Sequence, residues 1–233
     1  MVYTTMITRL LRNIFTLMNH VPHKYVLSKY PPRYGLESFL RMAPKGARVL
    51  DVGCGNDSPR RIKTLAPDIH YTGIDVSDYN QHSQSFADAY FITTPHAFAD
   101  TIYHLPDTFD IVIWNHNIEH CNYPYRVLLS IIFRMARGAR LYIAMPCAAS
   151  VTFPSRRGTL NYYDDWTHQH LPPDIAQITA VMNSYGLRIL VNQHRYRPKL
   201  WAAIGLIQEP FSAAHKKVYG GTWALYGFET VLW

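Results

Sequence analysis

The chain has 233 residues, 48% hydrophobic and only 17% charged, with a formal charge of +7. That composition supplies one sizeable core and excludes a disordered chain. The basic residues are dispersed rather than gathered in runs, which argues against a nucleic-acid arm and for a basic globule facing an anionic substrate or surface.

In chain order, the segment from Thr5 to His20 reads as a basic amphipathic helix, with Leu10, Leu11, Ile14, Phe15, Leu17 and Met18 interrupted by Arg9 and Arg12. It suits packing on its own domain, a homodimer contact or a peripheral position on a membrane surface. Its charges deny it the unbroken apolar centre of a signal peptide, and no stretch approaches the roughly 20 apolar residues that span a bilayer. Leu36 to Met42 forms a short helix before the breaker Pro44-Lys45-Gly46. From there strands and helices alternate. Arg48–Val52 is a buried strand, Ser58–Leu65 a helix, His70–Asp75 a second strand and Ala89–Thr93 a third. Asp110–Trp114 is a fourth strand. A helix opens at Pro124, with an apolar face at Val127, Leu128, Ile131, Ile132 and Met135, and Gly138 closes it. Leu141–Met145 is a fifth strand, and a further helix runs from Pro172-Pro173 to Gly186. Leu187–Val191 is a sixth strand, Trp201–Ile207 an extra helix and Gly227–Leu232 the last strand. Such alternation predicts a parallel sheet covered on both faces.

The first strand runs into Asp51-Val52-Gly53-Cys54-Gly55-Asn56-Asp57-Ser58. Glycines let the backbone turn and approach a ligand with no Cβ in the way. A dinucleotide loop requires G-x-G-x-x-G; here the third position is Ser58, and Asp51 precedes the first glycine by two. An acid so close suits a cofactor carrying an ammonium group, and Asp75, closing the second strand, is placed to accept hydrogen bonds from ribose hydroxyls. Val49–Gly55, Gly73-Ile74-Asp75, and Phe109–Val112 followed by Asn117-Ile118-Glu119-His120 together resemble the motifs of the class I S-adenosylmethionine (SAM)-dependent methyltransferases, over roughly residues 46–232. The resemblance implies a doubly wound, Rossmann-like, seven-stranded, mostly parallel sheet, with SAM as cofactor. It further implies cofactor contacts from Asp51, Gly53, Cys54, Gly55, Asp75, Val76, Asn115 and His116. The acid that many members place after the third strand is missing, which leaves Phe98, Asp100 or a backbone group to face the adenine.

Methyl transfer needs a positioned nucleophile and often a base. Candidates fall in two loops at the crevice end: Asn115–His120 and Asn161–His170. His120 and His168, assisted by Asp165, are the candidate catalytic groups, because imidazole takes a proton near neutral pH. Asp164, Asp165, His168 and His170 are metal-ligand types, but one short loop rarely lets all four converge, so a metal-independent transfer is expected. Arg156 and Arg197 suit a phosphate or carboxylate on a substrate, and Tyr162 and Tyr163 join them as candidate substrate contacts. The fourth strand is not followed by the Asp/Asn-Pro-Pro-aromatic tetrapeptide of base-amine methyltransferases, so nucleic acid is not the expected partner. The Tyr162–His168 and Trp223–Glu229 stretches are similar to methyltransferases of bacterial surface-polysaccharide gene clusters, which implies O-methylation of a carbohydrate: a sugar, nucleotide-sugar or lipid-linked glycan. Cys54, Cys121 and Cys147 show no paired spacing and suit reduced thiols in a cytoplasmic protein.

The sequence is therefore read as an N-terminal helical extension (residues 1–45) and a methyltransferase domain (46–233) with a lid insertion after the fifth strand. Its expected acceptor is a small-molecule or glycan hydroxyl. A lipid or quinone methyltransferase, a nucleotide-cofactor oxidoreductase and a non-catalytic scaffold are the alternatives.

Overall fold

A computed structural model describes residues 32–78, 86–168 and 170–233. The amphipathic segment expected at 5–20 lies outside the described residues. The elements in order are α1 (Leu36–Leu40), β1 (Arg48–Val52), α2 (Ser58–Leu65), β2 (His70–Asp75), β3 (Ala89–Ile92), α3 (Phe98–Tyr103), β4 (Phe109–Asn115), α4 (Pro124–Arg134), β5 (Met135–Pro146), α5 (Ile175–Ser184), β6 (Asn192–Tyr196), α6 (Lys199–His215), α7 (Thr222–Tyr226) and β7 (Glu229–Leu232).

One seven-stranded sheet runs β3-β2-β1-β4-β5-β7-β6. The first five of these strands are parallel, while β7 lies antiparallel to both β5 and β6. Strand order reverses between β1 and β4, and a doubly wound sheet opens its ligand crevice outside the carboxyl ends of such a pair. Side chains alternate faces along each strand. Leu50, Val52, Val112 and Trp114 therefore enter the core under α3, α4 and α5, whereas Val49, Ile111 and Ile113 enter the core shared with α1 and α2. Helix α1 belongs to that second core although it precedes residue 46. Phe39 is buried and meets the rings of Tyr142 and Trp233 at 5.3 and 5.6 Å.

Three expected elements are placed differently. The helix opened by Pro124 ends at Arg134, and Gly138 instead sits at φ 79 in the irregular start of β5, where pairing with β4 shifts register. The sixth strand is Asn192–Tyr196 rather than 187–191: Leu187 and Ile189 pack against the core, and the polar strand that follows is, among the described residues, a sheet edge paired with β7 alone. The extra helix is longer than its apolar stretch, running through Pro210 to His215.

Candidate active site

The loops after β1 and β4 meet over the switch point. Gly53 adopts φ 75, and a Cβ there would collide with the side chain of Asn117. Asn117 is held by the indole N–H of Trp114, which donates to its Oδ1 at 3.0 Å. Glycine thus serves the close approach of the two loops as well as the turn. Beside this contact opens a cavity of about 610 Å³, within the range of small-molecule sites. Gly53, Gly55, Asp75, Val76, Phe98, His116, His120 and Asp165, all foreseen as site residues, line it. So do Asn56, Pro95, His96 and Tyr123, which sequence reasoning did not single out, and Asn117, Trp166, Thr167 and His170 from the two loops it named as sources of candidates.

Asp75 is buried at the end of β2 yet faces the cavity, and its Oδ1 accepts the Val76 N–H at 2.7 Å. Burial pushes its pKa up, and backbone N–H bonds from Val76, Gly55 and Ser77 pull against that. The geometry fits SAM: a carboxylate at a strand end, a glycine loop beside it, and Phe98, Pro95 and His96 along the wall beyond.

Several expected contacts have other partners. Asp51 points to the α1–α2 face, because it alternates with Leu50 and Val52. Its Oδ2 accepts from the Ser58 and Tyr71 hydroxyls at 2.7 and 2.6 Å, tying α2 and β2 to the loop from beneath. Burial raises its pKa, partly offset by those two bonds. Cys54 is buried in the same layer, and burial pushes its thiol up. Asn115 lines a second cavity on the α1 side of the sheet. Asp100 is exposed and paired with Arg126 at 2.8 Å. Arg156 is no free anion receptor, since its guanidinium is buried and bonded to both Glu209 oxygens (2.8 and 2.6 Å) and to Ser212. Arg197 donates to the Tyr226 carbonyl, and Tyr163 is exposed outside the cavity.

The proton-handling groups are brought together from both loops. The His120 Nδ1 lies 2.9 Å from the Thr167 Oγ, and that hydroxyl donates to Asp165 Oδ1 at 2.6 Å. The hydroxyl's proton is thereby used, so it accepts from Nδ1–H and leaves the His120 Nε2 lone pair free. Burial lowers the pKa of His120, with Glu119 opposing the shift. His168 is buried, its ring 4.7 Å from that of His120, and stacks on Tyr162 at 4.3 Å. Its Nδ1 lies 2.6 Å from the Tyr162 carbonyl, which can only accept. His116, foreseen as a cofactor contact, sits at φ 49 with its nitrogens 3.3 Å from Glu119 and 2.9 Å from Glu229. Burial works to lower its pKa, but the two carboxylates outweigh it and push the value up to about 10, so the ring is a cation at neutral pH.

A fold with β7 antiparallel in a parallel sheet, and an acid-bearing glycine crevice at its switch point, defines a class I methyltransferase. A methyltransferase-domain sequence family matches residues 26–191, and the chain belongs to that family. No curated protein matches it in sequence. By fold it is similar to a SAM-dependent methyltransferase from Archaeoglobus fulgidus, with TM-score 0.56, 18% identity, and 84% of this chain and 89% of that one covered. It is also similar to one from Mesorhizobium loti, with TM-score 0.57, 15% identity, and 88% and 98% covered. A third similar structure is the plantazolicin methyltransferase BpumL in complex with SAH, with TM-score 0.53, 16% identity, and 84% and 79% covered.

Proposed function

We propose that this chain is a SAM-dependent O-methyltransferase acting on a carbohydrate-type hydroxyl. The observation that carries this reading is one cavity shared by a strand-end carboxylate, Asp75, and a hydrogen-bonded His120–Thr167–Asp165 chain. When bound, SAM supplies an activated methyl group. The residues assigned to hold it are the Gly53–Gly55 backbone, with Asp75 accepting from the ribose hydroxyls and Phe98 against the adenine. His120 Nε2 serves as the base, and Asp165 orients it through Thr167. The acceptor hydroxyl lies against that nitrogen and gives up its proton there.

A hydroxyl is favoured over a base amine because the segment after β4 reads Asn115-His116-Asn117-Ile118, with no Pro-Pro pair to grip an exocyclic nitrogen. The formal charge of +7 favours an anionic acceptor such as a nucleotide-sugar. The test is transfer of labelled methyl from SAM to a panel of sugars, nucleotide-sugars, lipid-linked glycans and quinols, with the product linkage read by mass spectrometry. His120→Ala is expected to lower kcat by roughly 10²–10⁴-fold while leaving cofactor affinity intact. Methylation of a nitrogen, or full activity in His120→Ala, would contradict the reading.

A further inference from the structure

We propose that Glu119, His120 and His168 form a binding site for a divalent first-row transition ion, Zn²⁺ foremost, at the acceptor end of the cavity. One ligand atom from each residue lies within 4.8 Å of the others. Each is also chemically ready. Glu119 is only 5% exposed, its Oε1 is engaged by His116, and its buried Oε2 has no hydrogen-bond partner among the described residues. An orphaned carboxylate oxygen at that depth is costly unless something cationic meets it. His120 and His168 each commit Nδ1–H to an oxygen, the Thr167 hydroxyl and the Tyr162 carbonyl, which leaves both Nε2 lone pairs available. An imidazole whose far nitrogen is fixed by an oxygen acceptor is the usual arrangement of a metal-binding histidine.

Two imidazoles and one carboxylate suit Zn²⁺, Fe²⁺ or Mn²⁺ rather than Mg²⁺ or Ca²⁺, and three protein ligands leave coordination positions open. Glu119 and His120 line the cavity, so those positions face the acceptor. This part of the inference rests on the O-methyltransferase reading: an acceptor hydroxyl coordinated there is acidified and loses its proton to solvent. In the loaded chain His120 is then a ligand, and the ion does the work that the imidazole does in the metal-free one. Binding of the ion itself does not depend on that reading.

The test is titration of tag-free, chelator-treated protein with Co²⁺, followed by visible d–d absorption and displacement by Zn²⁺, alongside thermal unfolding with S-adenosylhomocysteine. One ion per chain is expected. Glu119→Gln, His120→Asn and His168→Asn should abolish its spectrum, and His215→Asn should retain it. Thr167→Val, which touches no ligand atom, should weaken affinity by about 10–100-fold and keeps the test open if a ligand variant misfolds. No Co²⁺ bound to the wild-type chain, or a spectrum indifferent to all four cavity substitutions, would overturn the site. Co²⁺ binding that depends on these residues without stabilisation by S-adenosylhomocysteine would support the site and sink the methyltransferase reading instead.

Discussion

Arg156 shows how a residue that looks like a substrate anchor becomes a scaffold element. Its bidentate pair with Glu209 joins a buried guanidinium to a carboxylate about a quarter exposed, so Arg156→Ala leaves that carboxylate with the Tyr226 hydroxyl and is expected to cost about 1–3 kcal/mol. Chemical denaturation should show that loss, with the acceptor KM of the folded fraction unchanged; a raised KM at full stability would restore the substrate role. Asp164 is the organiser of the same region. It accepts from the Ser155 hydroxyl and from the N–H groups of Arg156, Leu160 and Asn161. Burial opposes these bonds, but together they hold its pKa below the ordinary aspartate value. A depressed native pKa gives stability that is fully present at neutral pH and is lost as pH falls through the native value. Asp164→Ala should therefore destabilise at pH 7, by about 2–3 kcal/mol, and the gap from wild type should narrow in acid. A gap independent of pH would show that the carboxylate's charge is irrelevant. Arg156 looks functional from sequence because its partner, Glu209 in α6, lies 53 positions away.

At the scale of elements, strands buried on both faces were legible, since apolar runs such as Val49–Val52, broken only by Asp51, and Ile111–Trp114 leave few other arrangements. The edge strand β6 was not, because its polar Asn192–Tyr196 stretch has no hydrophobic signature and the apolar run before it packs without pairing. Helix α3 was missed for a similar reason: it has six residues and no side-chain cap. The crossing of α6 over the start of α7 depends on two glycines whose backbones touch, Gly205 and Gly221. Gly205→Val should push the helices apart and cost about 1–3 kcal/mol in denaturant unfolding. An unchanged midpoint would mean that the two helices do not pack as closely as described. The candidate site divides in the same way. The cofactor crevice is contiguous in sequence around the glycine loop and Asp75, so it could be read. The Glu119–His120–His168 cluster spans two loops separated by α4 and β5, and metal ligands sought within the Asn161–His170 loop alone could not reveal it.

For the molecule as a whole, the order of elements foresaw the sheet, and each of its two faces carries a core of its own. No helix among the described residues is long and apolar enough to cross a membrane. What composition could not supply is the meeting of three loops at the switch point, which depends on Gly53 admitting Asn117 and on Thr167 reaching His120. The central claim is that this meeting point is a SAM crevice anchored by Asp75. The most direct measurement is thermal unfolding of wild-type and Asp75→Ala protein with S-adenosylhomocysteine, SAM and NAD in turn. At about 100 times its Kd a ligand stabilises the native state by roughly 2.7 kcal/mol, a shift of about 5–11 °C for a chain of this size. The account predicts that shift with SAM and with S-adenosylhomocysteine, none with NAD, and its loss in Asp75→Ala at the same ligand concentration. Stabilisation by NAD alone, or a SAM shift that survives in Asp75→Ala, would contradict it.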